Sequence, residues 1–225
     1  MKYRTLFLDL DNTLLDFSKA EDWAIEKTLI EFVLPFDKQT KKLYSEINAT
    51  YWQRFERGEI PKNAIFEGRF KTLLSVLKED RSITAISECY FKNLSATYFK
   101  MEDADEVLTY LKGKGYKLYA TTNGYAATQH SRIAKSGLEP YFDKVFVSED
   151  VGAQKPDKAY FDFCINDIGE NDKSKILVVG DSESSDILGG INSSLDTCWL
   201  NPEGAAARYE PTYQIKNIKE LKNLL

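Results

Sequence analysis

Two aspartates separated by one residue, in Asp9-Leu10-Asp11-Asn12-Thr13, carry the strongest chemical signal in this chain. They follow an apolar run, Tyr3-Arg4-Thr5-Leu6-Phe7-Leu8, that reads as a buried strand. Side chains alternate with period two along a strand, so residues 9 and 11 point the same way until the chain curls at Asn12-Thr13. Like unit charges about 4 Å apart repel by about 4 kcal/mol at an effective dielectric of about 20. A fold tolerates such a pair when a cation or a proton offsets the repulsion. The spacing therefore points to metal binding, to acid–base chemistry, or to both.

Other polar residues stand where later strands are expected to end. Tyr116-Lys117-Leu118-Tyr119-Ala120-Thr121 runs into Thr122-Asn123-Gly124. Lys175-Ile176-Leu177-Val178-Val179 runs into Gly180-Asp181-Ser182-Glu183-Ser184-Ser185-Asp186. Lys155 follows the short strand Lys144-Val145-Phe146-Val147, within Gln154-Lys155-Pro156-Asp157. Ligands of open parallel sheets bind at the carboxyl edge of the strands. Acids, a hydroxyl, an amide and one lysine are thus expected to meet there from distant parts of the chain.

The elements that would hold them follow from periodicity. From Phe17 to Phe99 the chain reads as helical without a convincing strand. Helices are predicted over Glu21 to Phe32, Lys38 to Phe55, Asn63 to Leu77 and Ser82 to Tyr98, with breaks at Leu34-Pro35, Gly58-Glu59-Ile60-Pro61 and Lys78-Glu79-Asp80. After Asp103 helix and strand alternate. Helices are predicted over Asp105 to Lys112, Ala126 to Lys135, a segment with Pro156 in its first turn that runs to Ile168, and Asp186 to Ile191; the last strand is Asp196 to Leu200. Alternation implies parallel pairing with right-handed crossovers. The N-terminal strand must join that sheet. The expected fold class is α/β: a Rossmann-like parallel sheet core from residues 1–16 and 100–225, with an inserted all-α, four-helix cap over residues 17–99.

Composition sets outer bounds. The 225 residues are 43% hydrophobic, enough for a proper core, and carry a net charge of −5 with acids and bases interspersed. No basic stripe suggests a nucleic-acid polymer as partner. No apolar run nears the roughly 20 residues that span a bilayer. Cys89, Cys164 and Cys198 form no metal-ligand spacing and suit buried thiols in a reducing, cytoplasmic compartment.

Taken together, these residues resemble the four motifs of the haloacid dehalogenase-like (HAD) hydrolase superfamily, in order and across the whole chain. Asp9-Leu10-Asp11-Asn12-Thr13 is similar to the DxDxT form of its phosphatases. The second half resembles, more narrowly, the pyrimidine 5′-nucleotidases of house-cleaning type. That likeness rests on Asn123-Gly124, on Ser148-Glu149-Asp150-Val151-Gly152, on Ser185 to Asn192 and on Thr197-Cys198-Trp199-Leu200-Asn201. One stretch departs from the pattern. Many relatives carry a proline-glycine pair where the chain re-enters the core, and this chain has Lys100-Met101-Glu102-Asp103-Ala104.

The resemblance implies a Mg²⁺-dependent phosphatase acting on nucleoside 5′-monophosphates, with UMP, dUMP and dTMP as the expected substrates. By it, Asp9 is the nucleophile that forms an aspartyl-phosphate, and Asp11 gives and takes the proton. The carboxylates of Asp9 and Asp181, with the Asp11 backbone carbonyl, would hold the metal at one rim of the sheet, and Asp186 would orient Lys155 or a metal-bound water. Thr122, Asn123 through its backbone N–H, and Lys155 would bind the phosphoryl oxygens. The cap would close over the site and choose the leaving group. A monomer or weak homodimer is expected.

Other residues and other activities have blander or rival readings. Glu183 suits a solvated loop, and His130, the one histidine, suits an exposed or capping position. Tyr51, Trp52, Phe55, Phe66 and Phe70 read mostly as bundle core, while Arg57 and Arg69 are candidate substrate contacts from the cap. Gly189 and Gly190 in a helical pattern call for close packing or a ligand. A sugar-phosphate phosphatase or phosphomutase shares the chemistry. A dehalogenase needs neither Asp11 nor Asp181, and a phospho-aspartate signalling module lacks the helical insertion.

Overall fold

The structure is a computed structural model that describes residues 2–225. The chain divides into two compact units, one formed by Met1–Asp16 with Tyr98–Leu225, the other by Phe17–Thr97.

The first unit is built on a six-stranded, all-parallel sheet. In chain order it contains β1 (Thr5–Asp9), and the second unit then contributes α1 (Phe17–Glu31), α2 (Lys38–Glu56), α3 (Asn63–Leu77) and α4 (Ile83–Ser95). The first unit resumes with α5 (Ala104–Gly113), β2 (Lys117–Thr122), α6 (Ala126–Ser136), β3 (Lys144–Val147), α7 (Ser148–Val151) and α8 (Lys158–Ile168). It ends with β4 (Ile176–Gly180), a π-helical turn over Glu183–Ile187, α9 (Leu188–Asn192), β5 (Asp196–Leu200), β6 (Tyr213–Ile215) and α10 (Leu221–Leu224).

The strands lie in the order β3-β2-β1-β4-β5-β6. The chain builds outward from β1 on one side, then crosses back to β4 on the other. That reversal between β1 and β4 opens a crevice beyond their carboxyl ends. Asp9 pairs in register with Thr121 of β2, so the ends of the three central strands are level.

Every residue of β1 and β4 is buried, as expected of central parallel strands covered on both faces. Leu6, Leu8, Leu118, Ala120, Leu177 and Val179 pack on one face with Val107, Leu108 and Leu111 of α5 and Ile133 of α6. Phe7, Tyr119, Phe146, Ile176 and Val178 pack on the other with Tyr160, Phe161, Cys164 and Ile165 of α8. Gly189 and Gly190 are explained by this packing: an added Cβ would lie 2.8 Å from a Phe161 ring carbon and 2.3 Å from the Thr197 methyl.

Within the helical unit, α1 packs on α2 and α4, and α3 packs on the same two helices. Ala20, Ala24, Ile25 and Leu29 repeat at helical spacing and are buried, as are Tyr44, Phe55, Ile65, Phe70, Leu73, Ile86 and Tyr90. Asp37 and Ser82 cap α2 and α4 by accepting from the Thr40 and Ala85 N–H groups. Helix α4 stops at Ser95, short of the predicted Tyr98, where the Thr97 hydroxyl donates to the Leu94 carbonyl.

Other differences from the sequence reading are local. Pro156 lies outside the helix it was expected to start: α8 begins at Lys158 after Asp157, and the Lys155–Pro156 bond is cis. The segment expected to be helical over Asp186–Ile191 is a π turn followed by α9. Strand β6 and helix α10 were not foreseen; Ile215 and Leu221 add their side chains to the core near Leu200. In the stretch Lys100–Ala104, Asp103 adopts φ +66°, a left-handed conformation that aspartate tolerates better than most residues. Among the described residues no helix is long and apolar enough to cross a membrane.

Candidate active site

The site is built where β1 stops. The strand ends at Asp9, and Asn12 takes φ +57°, a conformation asparagine visits readily. The chain then folds back, with the Leu14 and Leu15 N–H groups donating to the Leu10 carbonyl at 2.9 and 2.7 Å. This turn, rather than a continued strand, sets the direction of Asp11.

Oxygens of Asp9, Asp181 and Asp186 all lie within 4.8 Å of one another. Asp181 and Asp186 come from the segment after β4, next to β1 in the sheet. Asp186 is fully buried and reaches this point only because residue 180 is glycine: a Cβ there would fall 2.1 Å from Asp186 Oδ2. The Asp181 backbone carbonyl accepts from the Trp199 indole at 2.8 Å, which ties the loop to β5.

Lys155 stands between two of these acids. Its ammonium, 1% exposed, donates to Asp9 Oδ1 at 2.7 Å, to Asp186 Oδ1 at 2.6 Å and to the Thr121 carbonyl at 3.1 Å. All three N–H donors are thereby engaged by protein oxygens. The Asn123 side chain clamps the Lys155 backbone from both sides, donating to its carbonyl at 2.7 Å and accepting from its N–H at 2.9 Å.

The electrostatics are unbalanced. Burial, reinforced by the charges of Asp186 and Asp11 and opposed by Lys155, pushes the Asp9 carboxyl up to about 7. Burial together with the charges of Asp9 and Asp186 pushes Asp181 well above the usual carboxylate range. Burial works to lower Lys155, but the charges of Asp186 and Asp9 outweigh it and hold the ammonium above the ordinary lysine value. Three carboxylates (Asp9, Asp181, Asp186) gather around one cation (Lys155). The excess of two negative charges equals the charge of one divalent ion. The Asp181 carboxylate accepts from no protein donor among the described residues, and hard oxygen donors of this kind suit Mg²⁺. The residues present therefore fit a divalent metal.

Thr122 sits at the end of β2. Its Oγ1 accepts from the Gly124 N–H at 3.0 Å and from Gln129 Nε2 at 2.8 Å. Its N–H donates to the Tyr160 hydroxyl at 3.2 Å, which donates in turn to the Phe146 carbonyl. Asp11 accepts from Arg132 Nη1 at 2.5 Å and from Gln129 Nε2 at 2.9 Å.

Sequence reasoning did not single out Gln129, Arg132 or Tyr160, and it named Gly180 and Trp199 within motifs without giving either a part in the site. The signal for the first two was the polar face of α6, where Thr128, Gln129, Arg132 and Ser136 are buried at helical spacing. Of the weaker candidates, Glu183 accepts from the Arg208 and Tyr209 N–H groups, and His130 is half-exposed beside Asp150. Arg57 is exposed and bonds Glu59. Arg69 is 1% exposed inside the helical unit and donates to Asn48.

The family profile described as haloacid dehalogenase-like hydrolase matches residues 3–193. The pyrimidine 5′-nucleotidase PynA of Streptococcus pneumoniae is 35% identical over 227 residues, covering 100% of this chain and 96% of PynA. The pyrimidine 5′-nucleotidase YjjG of Escherichia coli is 32% identical over 231 residues, covering 100% of this chain and 99% of YjjG. The magnesium-bound crystal structure of Bacillus subtilis YfnB, described as a HAD-hydrolase, superposes with a TM-score of 0.94 at 34% identity, covering 100% of this chain and 99% of that one.

Proposed function

The chain belongs to the haloacid dehalogenase-like hydrolase family, and within it we propose a phosphomonoesterase of the 5′-nucleotidase type that cleaves pyrimidine nucleoside 5′-monophosphates such as UMP, dUMP and dTMP. The observation that carries this reading is the gathering of Asp9, Asp181 and Asp186 oxygens within 4.8 Å at the switch point of the sheet, with Lys155 between two of them.

Asp9 Oδ2 is the nucleophilic oxygen, because Oδ1 is held by Lys155. It attacks phosphorus in line, the Oδ2–P bond forms and the P–O5′ bond breaks. The Asp11 carboxyl gives its proton to the departing O5′, which leaves as the nucleoside hydroxyl. Asp11, now a carboxylate, takes a proton from the water that attacks the phosphoryl-aspartate. Inorganic phosphate departs, and Asp9 and the protonated Asp11 are restored. Thr122 donates its hydroxyl proton to a phosphoryl oxygen, and the Asn123 backbone N–H serves the same oxygens. Lys155 lowers the charge of the nucleophile and fixes its direction.

The Asp9 and Asp181 carboxylates and the Asp11 carbonyl would hold Mg²⁺, with Asp186 beside them. The ion supplies the positive charge that lets a dianionic phosphate approach a carboxylate. We further take residues 17–99 as a domain inserted into the catalytic one. Buried free thiols at Cys89, Cys164 and Cys198 support a cytoplasmic location.

Phosphate release from a panel of nucleoside monophosphates and sugar phosphates, with Mg²⁺ and with chelator, tests the reading. Metal-dependent release fastest from pyrimidine nucleotides is expected. Turnover in chelator defeats the mechanism, and preference for sugar phosphates defeats the substrate assignment alone.

A further inference from the structure

We propose that Gln129 and Arg132 are positioning residues that set the Asp11 carboxyl and the Thr122 hydroxyl as one unit; this rests on the roles given to Asp11 and Thr122 above. The two residues are three apart on α6, so they share one helix face. Each is 1% exposed, and an amide and a guanidinium buried this deeply are costly unless hydrogen-bonded.

Their bonds close a ring. Gln129 Nε2 has two hydrogens and donates to Thr122 Oγ1 at 2.8 Å and to Asp11 Oδ2 at 2.9 Å. Gln129 Oε1 accepts from Arg132 Nη1 at 3.0 Å, and the same Nη1 donates to Asp11 Oδ1 at 2.5 Å. A flipped amide would turn Oε1 toward the Asp11 carboxylate and Nε2 toward the guanidinium, so Arg132 fixes which way Gln129 faces. Both Asp11 oxygens are held, which fixes the plane of its carboxyl.

The ring also directs Thr122. Its hydroxyl oxygen accepts from Gln129 and from the Gly124 N–H, which fills both lone pairs. The hydroxyl proton is left to donate to the phosphoryl group. Gly124 belongs to the same device: a Cβ there would lie 2.5 Å from Gln129 Cγ and Cδ, atoms whose amide end is pinned on three sides.

Leaving groups separate positioning from general support. A nucleoside 5′-alkoxide is a strong base and needs the Asp11 proton as it departs, whereas p-nitrophenolate does not. Both substrates need the grip of Thr122. The readout is kcat/KM, which reports the step that expels the leaving group. Arg132→Met is expected to lower kcat/KM for UMP at least about tenfold more than for p-nitrophenyl phosphate. Gln129→Leu should lower both, UMP the more, and Arg132→Lys should recover part of the loss. Gly124→Ala displaces Gln129 without touching Asp11 and should reproduce the selective loss should either larger change unfold the chain. Equal losses on both substrates across these variants, or no loss, overturn the proposal. Asp9→Asn is assayed alongside: if it turns over either substrate, the underlying mechanism fails, and if it is inactive while the ratio stays flat, this inference alone fails.

Discussion

Each unit of this protein buries a polar cluster, and the two are balanced differently. At the sheet rim Asp9, Asp181 and Asp186 crowd around a single lysine; burial and the charges of Asp186 and Asp11 raise Asp9, and burial and the charges of Asp9 and Asp186 raise Asp181. In the helical unit Glu21 accepts from Ser45 and Asn48, each at 2.6 Å, and Asn48 accepts from Arg69 at 2.7 Å. There one acid is matched by one base through an amide, and the guanidinium lies 4.7 and 4.8 Å from the Tyr90 and Phe91 ring centres. Burial raises the Glu21 carboxyl, while Ser45, Asn48 and Arg69 pull it back. A matched relay of this kind holds helices together. A cluster with surplus negative charge suits a divalent cation, and such imbalance is concentrated at sites of chemistry in proteins generally.

The contrast can be broken most directly at Asp9, the proposed nucleophile. Asp9→Asn should cut phosphate release at least about 1,000-fold, and a circular-dichroism melt should show no loss of fold, because a desolvated charge has been removed. Lys155→Met should destabilise by about 3–5 kcal/mol in denaturant unfolding, since Asp9 and Asp186 then share no counter-charge. Arg69→Met should cost about 3 kcal/mol for the same reason, while Glu21→Gln combined with Arg69→Met should return to within about 1 kcal/mol of the parent. If the double variant stays as unstable as the single one, the helical cluster is not a matched pair.

Smaller effects sharpen the difference. Asp181→Asn should raise the melting temperature of the metal-free protein by about 2–4 °C, equivalent to about 1 kcal/mol for a chain of this size. It should also abolish the shift that Mg²⁺ produces. A fall in the metal-free melting temperature would remove Asp181 from the surplus.

The pH dependence has a defined sign. Asp9 is raised to about 7 in the folded, metal-free protein, against about 4 in an unfolded chain. Its contribution to stability is complete below pH about 4 and is lost as pH rises through 7. Metal binding needs the deprotonated carboxylates, so it runs the other way. Scanning calorimetry at pH 5 to 8 should show the stabilisation by Mg²⁺ growing with pH. A gap that is constant with pH would mean that Asp9 is ionised throughout.

What could be foreseen differs from residue to residue for physical reasons. Asp9, Thr122, Asp181 and Lys155 were legible because each follows an apolar strand, and parallel strands of similar length end together. Gln129 and Arg132 were not, since a polar residue in a helix normally faces water and nothing local says that α6 turns this face inward. The role of Asn123 was half seen: its place at the strand end was legible, but its side-chain grip on Lys155, 32 residues away in sequence, was not. Pro156 was misplaced because a proline two residues before a helix carries the same signal as one in its first turn.

The order of apolar and polar residues was enough on its own to determine a parallel sheet, a helical insertion after the first strand and the set of acids at the sheet's edge. These follow from period and burial, which act over a few residues at a time. Only the tertiary structure decided how the charges share one another: which oxygen of Asp9 is bound, that Lys155 engages all its donors, and that Asp11 is held by a helix more than a hundred residues away. Coulomb forces and hydrogen bonds depend on distances of a few ångströms, and a linear order of residues does not contain those distances.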